Sequence, residues 1–200
     1  MSLILASSSP FRKQVLDKLG LTFEAVSPEI DESRRADETP RALVYRLSQE
    51  KAREVAKTHQ GLIIASDQVA TLTDGHHQND AILTKPHTHE NAVKQLEQSS
   101  GRTVTFLTSL SLLNTNNNNM QTIVEDYQVT FKSLTPEQIN HYLLTEKPYQ
   151  CAGSFKSEAL GICLFERLEG KDPNTLIGLP LIELVRMLDN EGLDVLASQA

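Results

Sequence analysis

Two cysteines, Cys151 and Cys163, are too few for a disulfide framework. Their spacing is not CxxC, and the six histidines show no ligand spacing, so no zinc set can be assembled. Both thiols are expected to be buried and apolar, in a reducing compartment. Long apolar runs are missing as well. Met1-Ser2-Leu3-Ile4-Leu5-Ala6 is too short for a signal peptide, and no stretch approaches a membrane span. The expectation is a cytoplasmic protein with no membrane partner. Basic residues are outnumbered, 19 Lys and Arg against 26 Asp and Glu, for a formal charge of −7. That excludes a broad nucleic-acid surface, and no stable nucleic-acid binding is expected. There is no internal repeat, and no composition shift marks a linker.

What remains is an ordinary globular composition, 39% hydrophobic and 22% charged. A chain of 22.2 kDa leaves about 9,400 Å² exposed and buries roughly 70% of its unfolded surface, enough for a core without staples. One domain over residues 1–200 is expected. Charge is uneven along it. Residues 1–60 hold ten basic and nine acidic side chains, whereas residues 61–200 hold nine and seventeen. The first 60 residues can therefore present cations on an acidic protein.

Leu3-Ile4-Leu5-Ala6 reads as a buried strand that runs into Ser7-Ser8-Ser9-Pro10. Ser9 suits an N-cap and Pro10 the first helical position; Gly20 closes that helix. Thr22 to Val26 predicts a strand, Thr39-Pro40 opens a helix to about Thr58, and Leu62 to Leu72 is a strand followed by a turn at Asp74-Gly75. A helix spans Thr88 to about Gln98. Strands cover Arg102 to Leu113 and Gln121 to Lys132, with the asparagine tract 114–119 as their hairpin loop. Thr135-Pro136 starts a helix with Gln138 completing a capping box. Ile162 to Arg167 predicts a strand, and Leu179 to Asn190 the last helix. Helices and strands alternate without a strict βαβ rhythm, which points to a mixed sheet in an α/β or α+β domain.

Chemistry has five candidate positions. Ser7-Ser8-Ser9 leads into a helix whose free N–H groups favour an anion, with Arg12 and Lys13 adjacent. The glycines of a Walker motif are absent. Asp67 ends the apolar run of a strand, where a lone charge must be solvated, paired or bound to a metal, and Ser66 and Gln68 are placed to orient it. Lys51 interrupts the stripe Leu43, Leu47, Val55. It either snorkels outward, the commoner fate of a single lysine, or meets a buried anion. Glu29, Asp31 and Glu32 offer oxygen ligands of the kind Mg²⁺ or Mn²⁺ takes. Lys85 is held before a stiff proline. Hydroxyls, cations and carboxylates near strand ends form the kit for a triphosphate carried with a divalent metal.

Ser7-Ser8-Ser9-Pro10-Phe11-Arg12-Lys13, Glu29-Ile30-Asp31-Glu32, Gln49-Glu50-Lys51-Ala52, Ser66-Asp67-Gln68 and Lys85-Pro86 resemble, in order, the Maf family of nucleotide pyrophosphatases. The likeness continues through Ala152 to Glu158, Phe165 to Gly170 and Gly178 to Leu181, over nearly the whole chain. Ser66-Asp67-Gln68, Cys151 to Glu158 and Asp172 to Thr175 look like the YceF-type branch, the 7-methyl-GTP pyrophosphatases. The resemblance implies an elongated mixed-sheet α/β fold with a central cleft, similar to the inosine triphosphate pyrophosphatases. It implies hydrolysis of a nucleoside triphosphate between its α and β phosphates, a divalent cation (Mg or Mn), and a homodimer in many members. By the same resemblance Asp67 is the proton acceptor for water, and Glu32 helps Asp67 hold the metal. Ser8, Arg12, Lys51 and Lys85 contact phosphate, and Phe11, Gln68 and Glu158 set substrate preference. Thr84 in place of glycine, Lys13 in place of a second arginine, and a surface turn lengthened over His76 to Asp80 depart from the family pattern. Alternatives are a dTTP or UTP preference within the family, or a nucleotide-binding regulator of cell division with little turnover.

Overall fold

The structure, a computed structural model, describes residues 2–72 and 81–197. The turns expected at Asp74-Gly75 and over His76 to Asp80 lie outside the described residues. Seven strands form a mixed sheet: β1 (Leu3–Ala6), β2 (Glu24–Val26), β3 (Leu62–Leu72), β4 (Ala81–Leu83), β5 (Thr103–Asn114), β6 (Asn119–Phe131) and β7 (Phe165–Gly170). Among the described residues six α-helices accompany them: α1 (Pro10–Asp17), α2 (Pro40–Ala56), α3 (His89–Ser99), α4 (Pro136–Glu146), α5 (Pro173–Ile177) and α6 (Leu181–Asn190). Among the described residues no helix is long and apolar enough to cross a membrane.

The chain divides into two compact units. The first takes the residues up to Gln68, then Thr108–Glu125 and the stretch from Asp172 onward. In it the strand order is β2-β1-β3-β5-β6, with β1 parallel to both β2 and β3. Parallel strands are covered on both faces and read as unbroken apolar runs. Period-2 alternation sorts their side chains. Leu3, Leu5, Leu62, Ile64, Leu110 and Leu112 pack with Val15 and Leu16 of α1 and Leu184, Met187 and Leu188 of α6. Ile4, Ala6, Ile63, Ala65 and Leu113 face the other way, onto Ala52 and Val55 of α2. Ser9 and Thr39 cap α1 and α2 by accepting from the N–H groups of Arg12 and Ala42, and a proline opens each helix.

The second unit comprises Val69–Leu107 and Asp126–Lys171. There β4 and β7 pair antiparallel with β3 and β6. Its core is aromatic. Phe155 meets Phe106, Phe131 and Phe165 edge-to-face with ring centroids 4.8–5.6 Å apart, a favoured geometry for such pairs. The capping box of α4 forms between Thr135 and Gln138 as the sequence indicates.

Two expectations are corrected here. Residues Leu160–Leu164 form a 3₁₀ turn, and the strand starts only at Phe165. Gly161 lies so close to the Lys156 carbonyl that a Cβ would sit 2.2 Å from it, so the turn needs glycine there. Cys163 rides on this turn and is exposed, and Cys151 is half-buried, so neither thiol is a core residue. Helix α5 escaped the sequence reading, because five residues hold too little periodicity to show.

Candidate active site

Helix α2 brings Lys51 against strand β3. Lys51 Nζ lies 2.6 Å from Asp67 Oδ1 and 2.9 Å from Glu32 Oε1. Lys51 is 5% exposed and Asp67 7%, so of the two readings of Lys51 the buried anion holds and snorkelling, the commoner fate, does not. A buried ammonium needs a compensating carboxylate, and Asp67 supplies it. The Glu32 side chain remains 58% exposed on the loop before α2. Asp67 Oδ2 takes no hydrogen bond among the described residues.

Strand alternation settles what Ser66 and Gln68 do. They point to the face opposite Asp67 and bind elsewhere, so they do not orient its carboxylate. Ser66 Oγ donates to the Gly178 carbonyl at 2.7 Å. Gln68 Nε2 donates to Thr108 Oγ1 at 2.8 Å and to the Thr175 carbonyl at 2.9 Å. The grip on Asp67 comes from a residue the sequence reading missed. Buried Ser109 accepts from the Asp67 N–H at 3.1 Å and donates to the Val44 carbonyl of α2 at 2.7 Å, tying strand to helix. Three hydroxyls, Thr108, Ser109 and Ser111, among the leucines from Leu107 to Leu113 were the available signal.

Half-buried Arg12 also converges on Gly178, donating from Nε to its carbonyl at 3.0 Å. Gly178 has φ +113, and a Cβ there would press on Arg12 Nε at 3.3 Å, so this position needs glycine. The Arg12 Nη nitrogens take no hydrogen bond among the described residues, which leaves a two-pronged donor. Burial lowers the Arg12 pKa, while the charges of Asp67 and Glu32 raise it. Ser8 is exposed at the α1 entrance and Phe11 is half-buried.

A second missed set holds the acidic loop. Arg46 on α2 grips Glu38 in fork geometry, Nε to Oε1 at 2.7 Å and Nη2 to Oε2 at 2.8 Å, and reaches the Ser33 carbonyl at 3.0 Å and Glu50 at 2.8 Å. Hydrogen bonding from Arg46 pulls the Glu38 pKa down to about 2. The segment that follows Glu32 is thereby fastened to the helix that carries Lys51.

The structure thus brings Asp67, Lys51, Glu32 and Arg12 together within the first unit. Lys85 and Glu158 belong to the second unit, where both are exposed. There, burial raises the Cys151 thiol pKa; Lys156 and Lys85 oppose the shift, and Glu158 and Glu146 add to it. Among the described residues no group of three or more His, Cys, Asp or Glu could hold a metal. The Asp67 and Glu32 oxygens that meet on Lys51 are hard donors. Two carboxylates with phosphate oxygens and water suit Mg²⁺, which dispenses with an all-protein cage, so these residues fit such an ion.

Comparison with known proteins adds the lineage. The chain matches the family described as Maf-like protein over residues 2–191. A 7-methyl-GTP pyrophosphatase of Pseudoalteromonas translucida (strain TAC 125) is 54% identical over 199 residues, covering 99% of this chain and 96% of that protein. One of the same name from Nitrosococcus oceani is 52% identical, covering 98% and 96%. Among solved structures, the Staphylococcus aureus Ham1 protein aligns at 12% identity and a TM-score of 0.45, over 66% of this chain and 73% of that one.

Proposed function

Because the chain belongs to the Maf family, we propose that it is a nucleoside triphosphate pyrophosphatase that splits 7-methyl-GTP into 7-methyl-GMP and pyrophosphate. The observation that carries this reading is the Lys51 ammonium between the Asp67 and Glu32 carboxylates, with the free fork of Arg12 in the same unit. The family match over residues 2–191 supports treating residues 1–200 as one Maf-like domain.

The chain's own residues supply most of the chemistry. Asp67 accepts a proton from the attacking water at Oδ2, the oxygen Lys51 leaves free. Lys51 balances the carboxylates when no substrate is present and the phosphates when it is. Arg12 offers two parallel N–H donors to one phosphate, which a lysine does not replicate. Lys51 and Arg12 stabilise charge as the α–β bond breaks, and Ser8 and Lys85 are assigned further phosphate oxygens. A divalent ion held by Asp67 and Glu32 would polarise phosphate oxygens. The 7-methylguanine ring carries positive charge. Phe11 offers an aromatic face worth roughly 0.5–2 kcal/mol to such a cation, and Glu158 a carboxylate. Gln68 acts on preference through the Thr175 and Leu176 carbonyls it holds.

Pyrophosphate release from 7-methyl-GTP with Mg²⁺ tests the reading. Asp67→Asn is expected to lower kcat by about 10²–10⁴-fold, the worth of a positioned general base. A variant that kept the wild-type rate would remove Asp67 from the mechanism. Glu158→Gln should lower the preference for 7-methyl-GTP over GTP; an unchanged ratio means Glu158 does not read the charge.

A further inference from the structure

In the second unit one amide side chain grips two segments at once. Asn91 and Gln95 stand four residues apart on α3, so they leave the same face of the helix. Gln95 Nε2 donates to the Thr84 carbonyl at 2.9 Å, and Asn91 Nδ2 donates to the Pro86 carbonyl at 3.1 Å. The carbonyls flanking Lys85 are both held by α3, while the Lys85 side chain stays exposed. At the other end of the amide, Gln95 Oε1 accepts from Ser154 Oγ at 2.5 Å.

Ser154 is fully buried and has φ +63, directly after Gly153 at φ +74. A non-glycine residue in the left-handed region is held there by its surroundings rather than by its own preference. The Gln95 acceptor is one such restraint, and Phe155 in the aromatic core is the next. From there the chain passes Lys156, whose N–H donates to the Tyr142 hydroxyl at 3.0 Å, and reaches Glu158 two residues on.

We propose that Gln95 is a positioning residue that links Lys85 to the segment bearing Glu158, so that one side chain sets both the grip on phosphate and the reading of the base. The inference rests on the roles given above to Lys85 and Glu158. Its chemistry divides cleanly, because the donor half of the amide serves Lys85 and the acceptor half serves Ser154.

The test is steady-state pyrophosphate release by the full chain from 7-methyl-GTP and from GTP with Mg²⁺, with thermal unfolding of every variant alongside. Gln95→Glu keeps an acceptor for Ser154 and loses the donor to Thr84. It is expected to raise KM for both nucleotides roughly 3–10-fold and to leave the ratio of their kcat/KM values as in the wild type. Gln95→Met loses both halves and should lower that ratio by a similar factor as well. Ser154→Gly keeps a backbone that accepts positive φ and should lower the ratio with a smaller rise in KM. Should Gln95→Met fail to fold, the contrast between Gln95→Glu and Ser154→Gly decides. If Gln95→Glu and Ser154→Gly each move KM and ratio in parallel, or only lower the melting temperature, the proposal is overturned. If the wild type releases no pyrophosphate from any triphosphate, the functional reading fails and this inference falls with it. If it does so and the variants match it, the inference alone fails.

Discussion

At the scale of the residue, Lys51 and Glu32 are expected to contribute unequally to stability, since Lys51 is buried and Glu32 is exposed. Removing the ammonium in Lys51→Met leaves the Asp67 carboxylate buried without its partner, an expected cost of about 3–5 kcal/mol in a urea unfolding series. Glu32→Gln touches the same ammonium from an exposed side chain. It should cost less than about 1 kcal/mol while raising the Mg²⁺ concentration needed for half-maximal activity. Equal stability losses in the two variants would show that Asp67 and Glu32 hold Lys51 equivalently. Gly178→Ala combines strain at φ +113 with pressure on Arg12 Nε. It is expected to destabilise by about 1–3 kcal/mol and to raise KM, measured by melting and steady-state kinetics. The position of Lys51 on an apolar helical stripe was legible from the sequence. Its outcome was not, because snorkelling and burial leave the same spacing, and the deciding carboxylate stands sixteen residues away.

At the scale of the element, the loop before α2 depends on Arg46. The folded Glu38 carboxylate has its pKa drawn to about 2, below its ordinary value of 4.5. Its contribution is complete above about pH 4.5 and fades as the pH falls toward 2. Arg46→Met is therefore expected to lower stability at pH 7 by about 1.5–3 kcal/mol, the range for hydrogen bonds to a charged group. It should also flatten the fall in urea midpoint between about pH 4.5 and 2. A midpoint that still drops with the wild-type slope would place the acid sensitivity elsewhere. Elements with strong periodicity were legible: β3 matches its expected span, and α2, β5 and β6 agree to within two residues at each end. The stretch 160–164 was not, since its apolar residues suit a strand, whereas the close approach of Gly161 to the Lys156 carbonyl that its turn requires lies outside any sequence pattern. Ser66 and Gln68 were misread for a related reason. Adjacency in sequence suggested adjacency in space, whereas a strand sends neighbours to opposite faces.

At the scale of the whole molecule, the first unit is built from three separate stretches of chain. No composition shift betrays this, because β3, β5 and β6 each pass from one unit into the other as an unbroken strand. The last stretch supplies Leu179, Leu181, Leu184, Met187, Leu188 and Val195 to the core. At about 1.5–3 kcal/mol per buried side chain, their loss removes about 9–18 kcal/mol, as much as the roughly 5–15 kcal/mol that holds a domain of this kind together. A chain ended after Lys171 is expected to lack a cooperative thermal transition by circular dichroism. A sharp melt in that truncated chain would show that the core closes without α6.

The Gly178 carbonyl also has a meaning in time. It accepts from Arg12 across 166 positions and from Ser66 across 112. A ribosome adds Gly178 only 166 residues after Arg12. Until then the arginine and the serine have no common anchor, and the proposed phosphate fork is a loose side chain. Catalytic competence is thus expected to wait until Gly178 has been added, and a product terminated before it carries Glu32, Lys51, Asp67, Lys85 and Glu158 without the grip that would let it act on the nucleotide pool.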